Sequence, residues 1–164
     1  MINRFDFSDE FLLDESQLEP SSAAAAIILD DYGRFFLQLR DNKTGIFFPN
    51  HWGFFGGALE ENETPQQCLV RELSEELDLF VNARRLKYVL KLELCFKLNT
   101  SPVLRHFFVL EMNNNDMSAL SINEGQEGAF FSREACLKIP NFAPYDRFAI
   151  WAYLNEWRVK TQKL

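Results

Sequence analysis

The chain has 164 residues, 47% of them apolar and 25% charged, and its 24 acidic residues outnumber 17 lysines and arginines for a formal charge of −7. That length suits one domain around one core, and the composition is that of a folded soluble protein rather than a disordered one. A net-negative chain has no general hold on nucleic acid or on an anionic membrane, so any phosphate it handles must meet a local basic group or a bound cation.

Residues 1–20 form an acidic arm carrying Phe5, Phe7, Phe11, Leu12 and Leu13 and closed by Pro20. The arm is expected to pack on the edge of the domain at 21–164 or against a second subunit, and it lacks the basic end and long apolar run of a signal peptide. "AAAAIIL" (Ala23–Leu29) is too short to cross a bilayer. Together with "RFFLQLR" it reads as two strands around a turn at Gly33. A loop leads to "WGFF" (Trp52–Phe55), a short strand ending at Gly56 and Gly57. A well-marked helix follows. Thr64 fits its N-cap, Pro65 the first position and Gln67 the third, which makes a capping box. Leu69, Leu73 and Leu77 then recur every four residues as a buried ridge. Strands are predicted at 86–98 and 103–112 around a turn at 99–102. A loop at 113–128, a strand at 129–132 and an amphipathic helix at 145–159 complete the chain. Strands and helices interleave without strict βαβ alternation, which predicts an α/β fold with a mixed sheet covered by helices. Cys68, Cys95 and Cys136 show no C-x-x-C spacing, so neither zinc nor a disulfide framework is expected, and a cytoplasmic location follows as the default.

The stretch Gly56–Leu77 crowds glutamates around a single arginine. At 100° per residue, Glu72, Glu75 and Glu76 share one sector of the helix beside the leucine ridge, where like charges destabilise one another. In isolation such a cluster is most often a solvated acidic face. At the dry margin of a core, three carboxylates call instead for a hard divalent cation, which takes oxygen ligands.

The surroundings favour the second reading. Gly57, five residues, Glu63, seven residues and "RELSEEL" resemble the Nudix box, G-x5-E-x7-R-E-U-x-E-E-x-G-U with U a bulky aliphatic residue. Gly57, Glu63, Arg71, Glu72, Leu73, Glu75, Glu76 and Leu79 match, and Asp78 stands where the box has its last glycine. Aspartate tolerates left-handed backbone, so this departure is expected to touch stability more than chemistry. The resemblance implies the Nudix fold, an α/β/α sandwich around a mixed β-sheet, from about Ala23 onward. It also implies hydrolysis of a diphosphate linkage in a nucleoside diphosphate derivative with Mg²⁺ or Mn²⁺.

By that resemblance Glu72, Glu75 and Glu76 hold the metals with the backbone carbonyl of Gly57, and Glu63 pairs with Arg71 to brace the loop against the helix. "NEGQEGAFFS" resembles the E-G-Q segment of MutT-type members and makes Glu124 a metal ligand or general base, with Glu127 as competitor. Arg40 aligns with a strand-end arginine that meets substrate, against the alternative of a surface arginine paired with Asp41 or Asp31. Asp146 falls where MutT-type members place an amide that reads a base, although an N-cap of the last helix is the simpler role. His51, His106, Phe47, Phe48 and Trp52 read as packing residues.

The substrate expected is a small nucleotide, a nucleoside triphosphate or a nucleotide sugar, since the marks of ADP-ribose, coenzyme A and dinucleoside members are absent. Family members are often dimers, so a homodimer is possible, while nucleic acid and membrane partners are not expected. A catalytically silent nucleotide sensor is the alternative, opposed by the intact carboxylates. Isopentenyl diphosphate isomerisation would need a pocket cysteine, whereas Cys68 reads as core.

Overall fold

The computed structural model describes residues 19–95 and 101–156. The arm up to residue 18, the end of the expected strand at 96–98, the start of the turn at 99–100 and the end of the terminal helix beyond 156 lie outside those residues. Strands β1 (Ala23–Leu29), β2 (Phe35–Leu39) and β3 (Trp52–Gly53) precede helix α1 (Pro65–Leu77). Strands β4 (Lys87–Leu94) and β5 (Val103–Glu111), helix α2 (Asn114–Ser118), strand β6 (Glu127–Phe131), and helices α3 (Arg133–Cys136) and α4 (Pro144–Leu154) follow.

The sheet is mixed, in the order β3-β2-β1-β5-β4 with β6 also on β2. β1 runs parallel to β5 with Ala23 opposite Arg105 and Leu29 opposite Glu111, and the other pairings are antiparallel. β1 is the centre of the core because it is apolar on both faces. Ala24, Ala26 and Ile28 face a cluster with Leu69, Leu73 and Leu77 of α1. Ala25, Ile27 and Leu29 face a second cluster with Ala149, Ile150 and Ala152 of α4. Period-2 alternation of a wholly apolar strand thus builds an α/β/α sandwich, the fold class expected.

The sheet is split where function will be found. β2 pairs with β1 only through Phe35 and Phe36. Toward the start of β1 its place is taken by the chain after β3, bridging Phe55 to Ala26 and Ala58 to Ala23. β2 therefore diverges from β1 at its C-terminal end, and Gln38 and Arg40 flank the gap together with Gly56 and Gly57. Gly56 is required there. Its φ is +125°, and an added Cβ would overlap the carbonyl of Ala24 and lie 3.0 Å from Ala25 Cα.

Helix α1 carries the expected capping box, with the Gln67 amide donating to Thr64 Oγ1 at 3.3 Å and the Thr64 amide to Gln67 Oε1 at 2.9 Å. Asp78 ends it in left-handed backbone at φ 52°, its amide bonded to Ser74 and that of Leu79 to Leu73. Two short helices stand where loop or unassigned chain was expected. Asn113 caps α2 by accepting from the amides of Asn115 and Asp116, and Ser132 caps α3 by accepting from Ala135. The last helix begins at Pro144 rather than at Tyr145, and β6 begins at Glu127 rather than Ala129. All three cysteines are free, Cys68 and Cys136 buried and Cys95 exposed. Among the described residues no helix is long and apolar enough to cross a membrane.

Candidate active site

The gap between β1 and β2 opens into two adjoining cavities that share Arg40, Gly56 and Gly57. The first, about 130 Å³, is lined by Glu72, Glu76, Glu124 and Gln38. Glu72 and Glu76 reach it one turn apart from α1, and the loop before β6 brings Glu124 from the far side. That loop is fastened to the helix end and to β2. The Asn123 amide donates to the Glu76 carbonyl at 2.8 Å, and its side chain donates to the Glu75 carbonyl at 3.0 Å. The Gln126 amide donates to Leu39 at 2.8 Å, and its side chain to the Arg40 carbonyl at 2.7 Å.

Glu76 is 4% exposed and has no basic partner among the described residues. The Gly56 amide donates to its Oε2 at 2.8 Å, and Gln38 Nε2 lies 3.5 Å from its Oε1. Burial pushes its carboxyl up to about 8, the Gly56 bond opposes the shift, and the charges of Glu72 and Glu124 add to it. Glu72 is raised as well, chiefly by burial, with Arg71 working against the rise. Glu72 packs so closely on Gly57 that a Cβ at that glycine would overlap its carboxylate.

Arg71 forms the expected brace. Its Nε donates to Glu63 Oε1 at 3.0 Å and its Nη2 to Glu63 Oε2 at 2.9 Å, a bidentate pair that holds Glu63 below the usual carboxylate range. Nη2 also donates to the Ala58 carbonyl at 3.0 Å, tying the loop to the helix. Nη1 donates to Glu72 Oε1 at 2.8 Å and to Glu75 Oε2 at 3.2 Å.

Two expected ligands are therefore turned elsewhere. Glu75 sits outside the cavity, its side chain 58% exposed and engaged by Arg71. The Gly57 carbonyl accepts the Ala24 amide at 3.0 Å and faces the Cys68 thiol at 3.5 Å, so it points into the sheet rather than toward the carboxylates. The carbonyl of Gly56, the residue before it, makes no such bond among the described residues, and Gly56 lines the cavity. Among the described residues no three acidic, histidine or cysteine side chains are already closed around one point. The donors gathered here are nonetheless carboxylate and carbonyl oxygens, the chemistry that suits Mg²⁺ or Mn²⁺, and a cation would offset the burial that disfavours the ionised form of Glu76.

The second cavity, about 140 Å³, has walls of Phe47, Leu94, Val103, Tyr145 and Arg105. Arg40 stands between the two. Its Nε donates to the Phe47 carbonyl at 2.8 Å, and Asp41, one expected partner, pairs with Lys43 at 3.0 Å instead. Asp146 neither caps α4 nor reaches the cavity as a base reader. Ala143 is the N-cap without a side-chain bond, and Asp146 is fully buried. Its Oδ2 accepts the Phe54 amide at 3.0 Å, and its Oδ1 accepts Arg105 Nη2 at 3.0 Å and Nε at 3.2 Å. The residue that sequence reasoning missed is Arg105. A charged side chain on the strand that pairs with β1 was the available signal, since an arginine there is not left unpaired.

The remaining candidates are packing residues. His51 Nδ1 is 2.8 Å from the Pro49 carbonyl, and buried His106 is lowered by desolvation. Glu127 is exposed in β6. Trp52 meets Phe131 edge-on at 4.7 Å, and Phe48 is buried against Tyr145 at 5.3 Å. The Cys68 thiol is pushed up to about 12, first by burial and then by Glu72 and Glu63, so it is no thiolate nucleophile at neutral pH.

Comparison with known proteins identifies the family and the fold. The NUDIX domain family matches residues 19–151. The chain is 43% identical over 58 residues to an 8-oxo-dGTP diphosphatase of Proteus vulgaris, an alignment covering 35% of this chain and half of that protein's length. It is 32% identical over 133 residues to an 8-oxo-dGTP diphosphatase of Haemophilus influenzae, covering 81% of this chain and 90% of that one. The fold superposes on a MutT protein from Methanosarcina mazei with a TM-score of 0.68 at 18% identity, covering 85% of this chain and 96% of that one. The box on α1, the mixed sheet that presents it and the family match together make this chain a member of the Nudix family.

Proposed function

We propose that the protein is a Nudix hydrolase that cleaves a diphosphate linkage in a nucleoside diphosphate derivative, with Mg²⁺ or Mn²⁺ as its cofactor. The observation that carries this is the convergence of Glu72, Glu76 and Glu124 on one cavity beside Arg40, which has no ion-pair partner among the described residues. An intact box without that convergence would fit a silent sensor equally well.

The cation would be held by Glu72, Glu76 and Glu124 with a backbone carbonyl at Gly56–Gly57, and Glu75 joins only by leaving Arg71. When bound, a divalent ion neutralises the diphosphate and lowers the pKa of a water. The chain supplies the rest. Arg40 binds the phosphate oxygens with the N–H groups not given to Phe47. Glu124, in the loop opposite α1, has the alternative role: left off the cation, it would take the proton of the attacking water. Arg71 and Glu63 fix the loop after Gly57, so that Glu72 keeps its place when the substrate's negative charge arrives. The adjoining cavity receives the nucleoside end of a small nucleotide, a triphosphate or a nucleotide sugar. A net charge of −7 gives no general hold on nucleic acid.

Product analysis on a nucleotide panel with Mg²⁺ present tests the reading. Turnover that yields a nucleoside monophosphate, and that is lost in Glu76→Gln and Glu124→Gln, supports hydrolysis. Tight binding of nucleotide with no turnover would favour the sensor instead.

A further inference from the structure

The wall of the second cavity is chemically unlike that of the first. Arg105 there is compensated one-to-one by a carboxylate that no solvent reaches. Burial opposes the guanidinium's charge, and the attraction and hydrogen bonds of Asp146 more than restore it. The two bonds to Asp146 Oδ1 use Nε and one N–H of Nη2. The Arg105 side chain is 11% exposed, and Nη1 has no hydrogen-bond partner among the described residues and is not among the sealed, unpartnered atoms. Nη1 is therefore the group that Arg105 can offer to the cavity it lines. The guanidinium lies 4.3 Å over the Tyr145 ring and 5.5 Å from the Phe107 ring, so its plane is fixed between β5 and α4.

A compensated guanidinium and a free one select different things. Arg40 has no ion-pair partner among the described residues and is drawn to phosphate. Arg105 brings no net charge but offers rigid donors inside an apolar slot, which suits a neutral acceptor such as a ring carbonyl. The slot is about 140 Å³ and walled by Phe47, Leu94, Val103 and Tyr145, the setting for a flat ring. It shares Arg40, Gly56 and Gly57 with the carboxylate cavity, so a ring held here has its phosphates led toward Glu72 and Glu76.

We propose that Arg105 is the residue that reads the base, donating from Nη1 to a ring carbonyl, and that Asp146 is a positioning residue that holds it. The substrates are then nucleotides with a keto base (guanine, cytosine or uracil), and adenine nucleotides are discriminated against. This rests on the hydrolase reading above for the bound phosphates, but the selection itself does not require turnover.

Calorimetry of the four nucleoside monophosphates without metal, run beside turnover of the four triphosphates, separates the two ideas. The native chain is expected to bind GMP, CMP and UMP about tenfold tighter than AMP, the scale of one lost hydrogen bond to a charged donor. In the neutral pair Arg105→Gln/Asp146→Asn, which leaves no buried unpaired charge, that preference falls to within about twofold. In Arg105→Lys, which keeps the charge and loses the fixed plane, it is reduced but retained. In Asp146→Asn alone the expected change is in KM, with kcat on the keto nucleotides kept. Equal binding of AMP by the native chain, or an unchanged preference in the neutral pair, overturns the proposal while leaving hydrolysis standing. Preference without turnover of any nucleotide supports it and overturns the hydrolase reading.

Discussion

Two arginine–carboxylate arrangements sit on either side of Arg40, and they balance charge in opposite ways. Around Arg71 the carboxylates outnumber the cation: it bonds Glu63, Glu72 and Glu75, and Glu76 behind them has no basic partner among the described residues. Around Arg105 the pair is one-to-one and closed, with Asp146 fully buried. The first is left short of positive charge at a partly open cavity, which is where a divalent cation would restore the balance. The second is satisfied within the protein, which is where rigidity is needed. Charge excess and charge closure mark different jobs in one site.

Breaking the excess should have the largest effect. Glu76→Gln is expected to lower kcat/KM by at least about a thousandfold, roughly 4 kcal/mol of transition-state stabilisation. The same change should raise, not lower, the melting temperature of the metal-free protein at pH 8, since it removes a buried charge without a basic partner. Steady-state kinetics beside thermal unfolding check both signs.

Breaking the closed pair should unfold rather than disarm. Asp146→Ala strands Arg105 in the core and removes the acceptor of the Phe54 amide, at a cost of about 3 kcal/mol or more in urea unfolding. Asp146→Asn keeps the Phe54 bond and should cost less.

A pH series sharpens the contrast. The folded-state pKa of Glu76, about 8, lies above the ordinary carboxylate value of 4.5. The folded chain therefore binds more protons than the unfolded chain between those values, and stability falls as pH rises through that window. The metal-free protein should lose stability from about pH 5 to pH 8, and millimolar Mg²⁺ should flatten the slope. Denaturation midpoints with and without chelator decide it, and Glu76→Gln should abolish most of the slope.

The smallest effect expected is at the helix end. Asp78→Gly, at φ 52°, should stabilise by about 1 kcal/mol or less and leave kcat unchanged. A change in kcat would mean that Asp78 has a part in the chemistry.

What could be read in the sequence follows the same division. Local signals sufficed for the cap at Thr64 and the leucine ridge of α1, whose residues are close in sequence, while the left-handed stop at Asp78 and the Glu63–Arg71 brace came with the resemblance to the Nudix box. The mixed sheet followed from element order. The short helices α2 and α3 were missed because one turn leaves no hydrophobic period, only the capping residues Asn113 and Ser132. Arg105 and Asp146 were beyond reach for another reason. They are 41 residues apart, and the packing of α4 on the sheet joins them. A carboxylate in the first turn of a helix reads as a cap until a buried guanidinium is seen beside it. The direction of the Gly57 carbonyl was likewise set by a pairing with Ala24 that no local pattern announces.

The most direct test of the central claim is titration of Mg²⁺ or Mn²⁺ into the metal-free protein by calorimetry, followed by product analysis on nucleoside triphosphates and nucleotide sugars. Uptake that is lost in Glu76→Gln, together with release of a nucleoside monophosphate, is the expected result. No uptake at millimolar metal, with every diphosphate bond left intact, would contradict it.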